Sequence, residues 1–144
     1  MTARHRQYEF IDHTADIIVR AGGATIAEAF AAAAEGMFDL ITDSVRPAGQ
    51  SLLQRTVRSI DIEGLLVAFL SELIVIHETD DVVLSDFDVT LDSDILLTFT
   101  ARSEPFDPVR HGEGTPVKGV SYHQIEIGVD PVKKCPYVQV LLDI

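Results

Sequence analysis

A single cysteine, Cys135, stands in this chain. No disulfide can close within it, and the pattern fits a reducing compartment. Cations are scarce too: 11 Lys and Arg face 23 Asp and Glu, for a net charge of −12. Such a surface repels phosphate backbones, which argues against direct, stable nucleic-acid binding and favours cations or a basic protein partner. No apolar run reaches the roughly 18 residues of a membrane helix, and the opening MTARHRQYEF lacks the apolar core of a signal peptide. There is no internal repeat, low-complexity tract or dividing linker. A G-x-x-x-x-G-K-[ST] phosphate loop is missing, which disfavours nucleotide hydrolysis, and no dense metal motif such as H-E-x-x-H occurs. A soluble cytoplasmic protein without membrane contact is the expectation.

What is there suits one globular domain. The chain has 144 residues, 47% hydrophobic and 24% charged, enough for a real core. Residues 8–11 and 16–21 read as strands, followed by a turn at Gly22-Gly23. Thr25-Ile26-Ala27-Glu28 is a capping box. The helix it opens carries an apolar stripe of Ile26, Ala29, Phe30, Ala33, Met37, Leu40 and Ile41 and is predicted to end near Thr42. A loop over 43–50 and a strand over 52–60 follow. A second helix is predicted from Asp61 or Ile62 to about His77, with the stripe Ile62, Leu65, Leu66, Phe69, Leu70, Leu73 and Ile76. Residues 83–91 and 95–102 flank Asp92-Ser93-Asp94 as a hairpin. Residues 104–114 read as a loop, and 117–122, 124–128 and 137–142 as three further strands. The predicted class is α+β: two helices packed on one face of a mostly antiparallel β-sheet arrangement, in one compact domain.

The two extremities carry acids in segments built for burial. Alternation along the last strand puts Val138, Val140, Leu142 and Ile144 on one face and Tyr137, Gln139, Leu141 and Asp143 on the other. In the strand from Asp16, Ile17, Val19 and Ala21 face inward; Asp16, Ile18 and Arg20 face outward. If these strands are neighbours, Asp16 and Asp143 share a face. Their carboxylates, with the one on Ile144, then suit a hard cation that prefers oxygen, such as Ca²⁺ or Mg²⁺. Periodicity does not decide that adjacency. Read singly, Asp12 and Asp16 equally suit loop acids or caps, and His13 a hydrogen-bonded structural histidine.

The same residues carry a family resemblance. Tyr8-Glu9-Phe10-Ile11-Asp12-His13-Thr14-Ala15-Asp16 resembles the opening signature of the archease proteins. So do Gly23-Ala24-Thr25, Glu28-Ala29-Phe30 and Ala34-Glu35-Gly36-Met37-Phe38-Asp39. The run Leu65-Leu66-Val67-Ala68-Phe69-Leu70-Ser71-Glu72-Leu73 is similar to the family's second helix. Val117-Lys118-Gly119-Val120-Ser121-Tyr122 and the closing Leu142-Asp143-Ile144 fit likewise. The segments 103–114 and 130–136 depart from the pattern.

The resemblance implies a non-catalytic accessory protein of the RtcB-type RNA ligase, which acts in tRNA splicing and RNA repair. That ligase guanylylates itself on a histidine; an archease promotes this step and multiple turnover. The resemblance also implies a divalent-metal site at Asp16, Asp143 and Ile144, most simply for Ca²⁺, with Mg²⁺ or Mn²⁺ as alternatives. Asp12 and His13 are candidates for a supporting layer; Lys118 and Tyr122 suit partner contacts and structural roles equally. Two other classes stay open on residues alone. One is a stand-alone metal-dependent phosphohydrolase drawing on His13, His77, His111 or His123. The other is a general chaperone or calcium-responsive interaction module.

Overall fold

The structure is a computed structural model that describes residues 6–12, 16–42 and 50–144, with only the backbone of Asp12. Both long helices begin where their side-chain chemistry directs. Thr25 is extended, and its Oγ1 accepts the Glu28 amide at 3.1 Å to open α1 (Ile26–Ile41). Asp61 Oδ1 accepts the Gly64 amide at 2.7 Å to open α2 (Ile62–Asp80). Each cap satisfies an amide that the first turn leaves without a helical partner. α2 runs past the expected stop at His77. Its last turn is polar and exposed, and the reversal comes at Asp81, whose φ of 55° is left-handed.

The strands are β1 (Gln7–Asp12), β2 (Asp16–Gly22), β3 (Ser51–Arg58), β4 (Val82–Ser93), β5 (Leu96–Pro105), β6 (Gly119–Val129) and β7 (Pro136–Asp143). A one-turn helix, α3 (Pro108–His111), lies between β5 and β6. They form two antiparallel sheets, ordered β1-β2-β7-β6 and β3-β5-β4. This is the expected α+β class, with the strands divided between two sheets. α1 packs on β1, β2 and β7 and also along β4; α2 packs on β6 and on β3, β4 and β5. Each helix thus bridges both sheets. That explains why α1 is buried well beyond a single stripe, with Ala29, Ala31, Ala32, Ala33 and Ala34 all inaccessible. Alanine keeps helix and sheet backbones close without the rotamer cost of larger side chains. Phe30, Phe69 and Phe99 join the layers, with ring centroids 6.2 Å and 5.2 Å apart along the series.

Several local expectations change in three dimensions. Gly22 closes β2, and neither Gly22 nor Gly23 has a positive φ. Gly23 is required by crowding instead: a Cβ there would lie 2.4 Å from Glu28 Cβ. The two segments at 117–122 and 124–128 are one strand, β6, interrupted by a bulge between Ser121 and Glu126. Gln124 takes a φ of 60° there, and its carbonyl accepts from buried Gln139 Nε2 at 2.9 Å. The region 104–114 is not all loop. Asp107 caps α3 by accepting the Val109 amide at 3.0 Å, with Pro108 at the first helical position. Residues 43–49, expected as loop, lie outside the described residues.

The strip after α3 closes the C-terminal end of α1. Gly114 N donates to Ile41 O at 3.2 Å and Thr115 N to Leu40 O at 2.7 Å, so carbonyls that a helix end leaves open are satisfied. A Cβ at 114 would sit 2.2 Å from Leu40 O and 2.9 Å from Ile41 O. Both obstacles are backbone. Gly114→Ala is therefore expected to break both hydrogen bonds and to destabilise the fold by about 2–3 kcal/mol. Urea unfolding checks this; a midpoint equal to that of the parent protein would refute it.

Arg6 pins the segment leading into β1 to α1 and β4. Its Nε meets Glu28 Oε1 at 2.8 Å, and its Nη1 meets Glu35 Oε2 at 3.0 Å and Phe87 O at 3.1 Å. Burial alone would lower its pKa, but the two carboxylates outweigh burial and hold the guanidinium above its ordinary value.

Candidate functional site

β7 lies between β2 and β6, so the chain's last strand is central in its sheet. Val138, Val140 and Leu142 point into the core. The opposite face is less exposed than alternation suggests. Ile18 and Leu141 are buried there, directly opposite each other, with Ile11 paired to Ile18 on the far side. The aliphatics cover one another across the strands.

Two register positions further along, on the same face, Asp16 pairs directly with Asp143. Directly opposed residues in an antiparallel pair have Cα atoms about 4.5–5.5 Å apart. Asp16 is half-buried and Asp143 is exposed. Asp143 also pairs with Gly119 on β6, and its carbonyl accepts the Lys118 amide at 2.7 Å. A Cβ at 119 would lie 3.5 Å from Asp143 Oδ2, so glycine keeps that side of the carboxylate open. Ile144 follows, half-buried. The result is a corner with two opposed carboxylates, an aliphatic flank and an open side beside Gly119.

Such a corner fits a hard divalent cation. Like charges placed directly opposite repel, and a cation between them removes the repulsion. Carboxylate oxygens select Ca²⁺, Mg²⁺ or Mn²⁺ over softer metals. Among the described residues no group of three or more His, Cys, Asp or Glu side chains could hold a metal ion. Asp16 and Asp143 are two such side chains; the third member of the expected set is a main-chain carboxylate at Ile144. The backbone of Asp12 pairs with Ile17 at the end of β1. His13 lies outside the described residues.

The remaining described histidines do not gather here. His77 Nδ1 donates to Val82 O at 2.7 Å near the end of α2. His123 is exposed in the β6 bulge. His111 is fully buried, with Nε2 2.6 Å from Glu104 Oε2. Sequence reasoning missed this Glu104–His111 pair. The Asp107-Pro108 dipeptide signals the short helix that positions it, but burial of an isolated Glu leaves no local sign.

A separate cleft of about 290 Å³ opens beside the other end of β2, lined by Arg20, Lys133, Cys135 and Tyr137 among others. Arg20 lies over the Tyr137 ring at 5.2 Å. The Tyr137 hydroxyl donates to Glu126 at 2.7 Å, and that bond raises its pKa above the usual phenol value. Asp130 accepts the Lys133 and Val132 amides, which lower its pKa. The cleft sits at the opposite end of β2 from Asp16 and shares no residue with the acidic corner.

The family model of the archease protein family (MTH1598/TM1083) matches residues 8–144. The chain belongs to the archease family. A protein archease of Pyrococcus furiosus is 37% identical over 125 residues, covering 85% of this chain and 88% of that protein. One from Methanosarcina barkeri is 37% identical over 131 residues, covering 88% and 90%. The solution structure of Methanobacterium thermoautotrophicum protein 1598 superposes with a TM-score of 0.80 at 32% identity, over 95% of this chain and 98% of that one. A Thermotoga maritima crystal structure, described as an archease and possible chaperone, shares the fold with a TM-score of 0.59 at 17% identity, covering 97% and 99%. Among the described residues of this archease, no helix is long and apolar enough to cross a membrane.

Proposed function

We propose that this archease is a non-catalytic activator of an RtcB-type RNA ligase. It promotes guanylylation of the ligase and multiple turnover through a divalent cation held by Asp16, Asp143 and the carboxylate of Ile144. The observation that carries the reading is the direct pairing of Asp16 with Asp143 beside Gly119. Family membership supports the accessory role. A bound cation, most simply Ca²⁺, would supply positive charge and open coordination sites at the rim. Asp16 and Asp143 orient that charge, and the central position of β7 keeps their geometry fixed. The net charge of −12 steers encounter with a basic partner. Acceleration then comes from positioning and electrostatics, with no covalent step on this chain.

The direct test is a guanylylation assay of the cognate ligase, with and without this protein, at limiting divalent ion. Faster guanylate incorporation and repeated ligation are expected. An unchanged rate at every protein ratio would remove the proposal. The same incubation without ligase, with phosphodiesters and Mn²⁺, is expected to show no turnover; steady hydrolysis would favour an enzyme instead.

The role of Ile144 has its own test. Adding Gly-Ser after Ile144 displaces the terminal carboxylate and leaves both aspartates in place. Calorimetric Ca²⁺ affinity is expected to fall at least about tenfold, since groups one layer further out already cost that much when altered. Unaltered affinity would take Ile144 out of the ligand set.

A further inference from the structure

Exposed apolar side chains scattered singly are ordinary. In this molecule three of them are brought to one junction near the start of α2. Ile60 is 89% exposed, Tyr122 58% and Ile95 47%. Ser59 N donates to Ile95 O at 3.1 Å, joining the β3–α2 connection to the β4–β5 turn. Gly64 joins both to the β6 bulge: a Cβ there would lie 2.3 Å from Ser59 Oγ and 3.1 Å from the Tyr122 hydroxyl oxygen. The three come from a capped helix end, a hairpin turn and a bulge held by Gln139, so the patch is built on bonded backbone.

Its border is mostly acidic. Asp61, Asp92 and Asp94 are exposed around the junction and Glu63 is half-buried, while Arg58 is a cation at the same end. The patch is separate from the acidic corner. Tyr122 lies three residues from Gly119, the partner of Asp143 on β6, and that odd separation places it on the face that α2 covers, away from the carboxylate of Asp143.

We infer that Ile60, Ile95 and Tyr122 form the docking surface for the ligase, which seats an apolar pocket bordered by lysine or arginine side chains on them. Charge complementarity selects that chemistry: a basic border faces the aspartates while the apolar centre excludes water. The inference rests on the ligase reading above and assigns it a contact surface separate from the cation site.

The experiment measures binding of the cognate ligase by calorimetry, alongside its guanylylation, for the full chain and three variants. Ile60→Asp places a charge in the centre of the patch at a site too exposed to affect folding. Its ligase affinity is expected to fall about tenfold or more, the size of a central interface contact. Val132→Asp alters a residue 86% exposed on the β6–β7 turn and is expected to leave affinity unchanged. Asp16→Ala is expected to retain binding and lose stimulation. Parental affinity in Ile60→Asp, or equal weakening by Val132→Asp, would overturn the surface while leaving the ligase reading intact. A parent protein that neither binds nor stimulates the ligase would overturn both.

Discussion

Asp143→Asn is expected to abolish cation-dependent stimulation of the ligase while making the metal-free protein slightly more stable. The two effects have opposite signs because one residue has two roles. In the absence of a cation, Asp143 faces Asp16 across β2 and β7. Like charges directly opposite on a sheet destabilise it by about 0.2–1 kcal/mol, and the amide removes that repulsion. Under the proposed cation site, Ca²⁺ is expected to stabilise the parent protein by ligand linkage, about 2.7 kcal/mol when the ion is at a hundredfold its dissociation constant. The variant lacks one of the proposed direct ligands. Even outer groups around metal sites cost about 10–100-fold in affinity, so a loss of at least about 100-fold is expected. Thermal unfolding with Ca²⁺ and with chelator separates the roles. A Ca²⁺-induced stabilisation equal to the parent's would remove Asp143 from the site; lower stability in chelator would mean that its role is structural. Asp16→Asn is expected to follow the same pattern.

The second large effect concerns stability alone and lies where the end of β5 meets α3. Glu104 is 2% exposed, and its Oε2 accepts Arg110 Nη1 and His111 Nε2, each at 2.6 Å. The Asp107 amide donates to His111 Nδ1 at 2.9 Å. A backbone N–H can only donate, so Nδ1 carries no proton and Nε2 does; His111 is the neutral tautomer. The negative charge of Glu104 is then balanced by Arg110. Glu104→Ala leaves the buried Nε2–H facing a void and strips Arg110 of that oxygen. Removing one partner of a buried pair costs about 3–5 kcal/mol, which for a chain of this size lowers the midpoint of thermal unfolding by about 10 °C. Glu104→Gln keeps the volume and one acceptor oxygen and is expected to lose less than half as much. Calorimetric unfolding decides: a Glu104→Ala change under 1 kcal/mol would mean that water replaces the carboxylate. Ligase stimulation, measured well below the transition, is expected to persist, because the network is not part of the acidic corner.

The contrast between these residues shows what sequence reading reaches. The capping box at Thr25, the Asp61 cap and the apolar stripes of both helices act within one or two turns, so they are visible in a short window. Asp143 was legible as an outward residue because strand alternation has a period of two, and its importance came through family likeness. Gly114 was not legible as a closure piece, since its obstacle belongs to Leu40, far along the chain. The β6 bulge was read as a break between two strands because the bond from Gln139 that holds it comes from another strand.

By itself, then, the order of residues settled the α+β class, the starts of both long helices, the inward faces of β2 and β7, and membership of the archease family. These follow from local periodicity, capping chemistry and an ordered set of motifs. Only the tertiary structure decided that β7 lies between β2 and β6, that Asp16 meets Asp143, that Glu104 and His111 are buried together, and that Ile60, Ile95 and Tyr122 share one junction. Each of those requires a choice of strand neighbour or layer. That choice is made by closing long loops over a common core, and its free energy is spread across the whole packed interior.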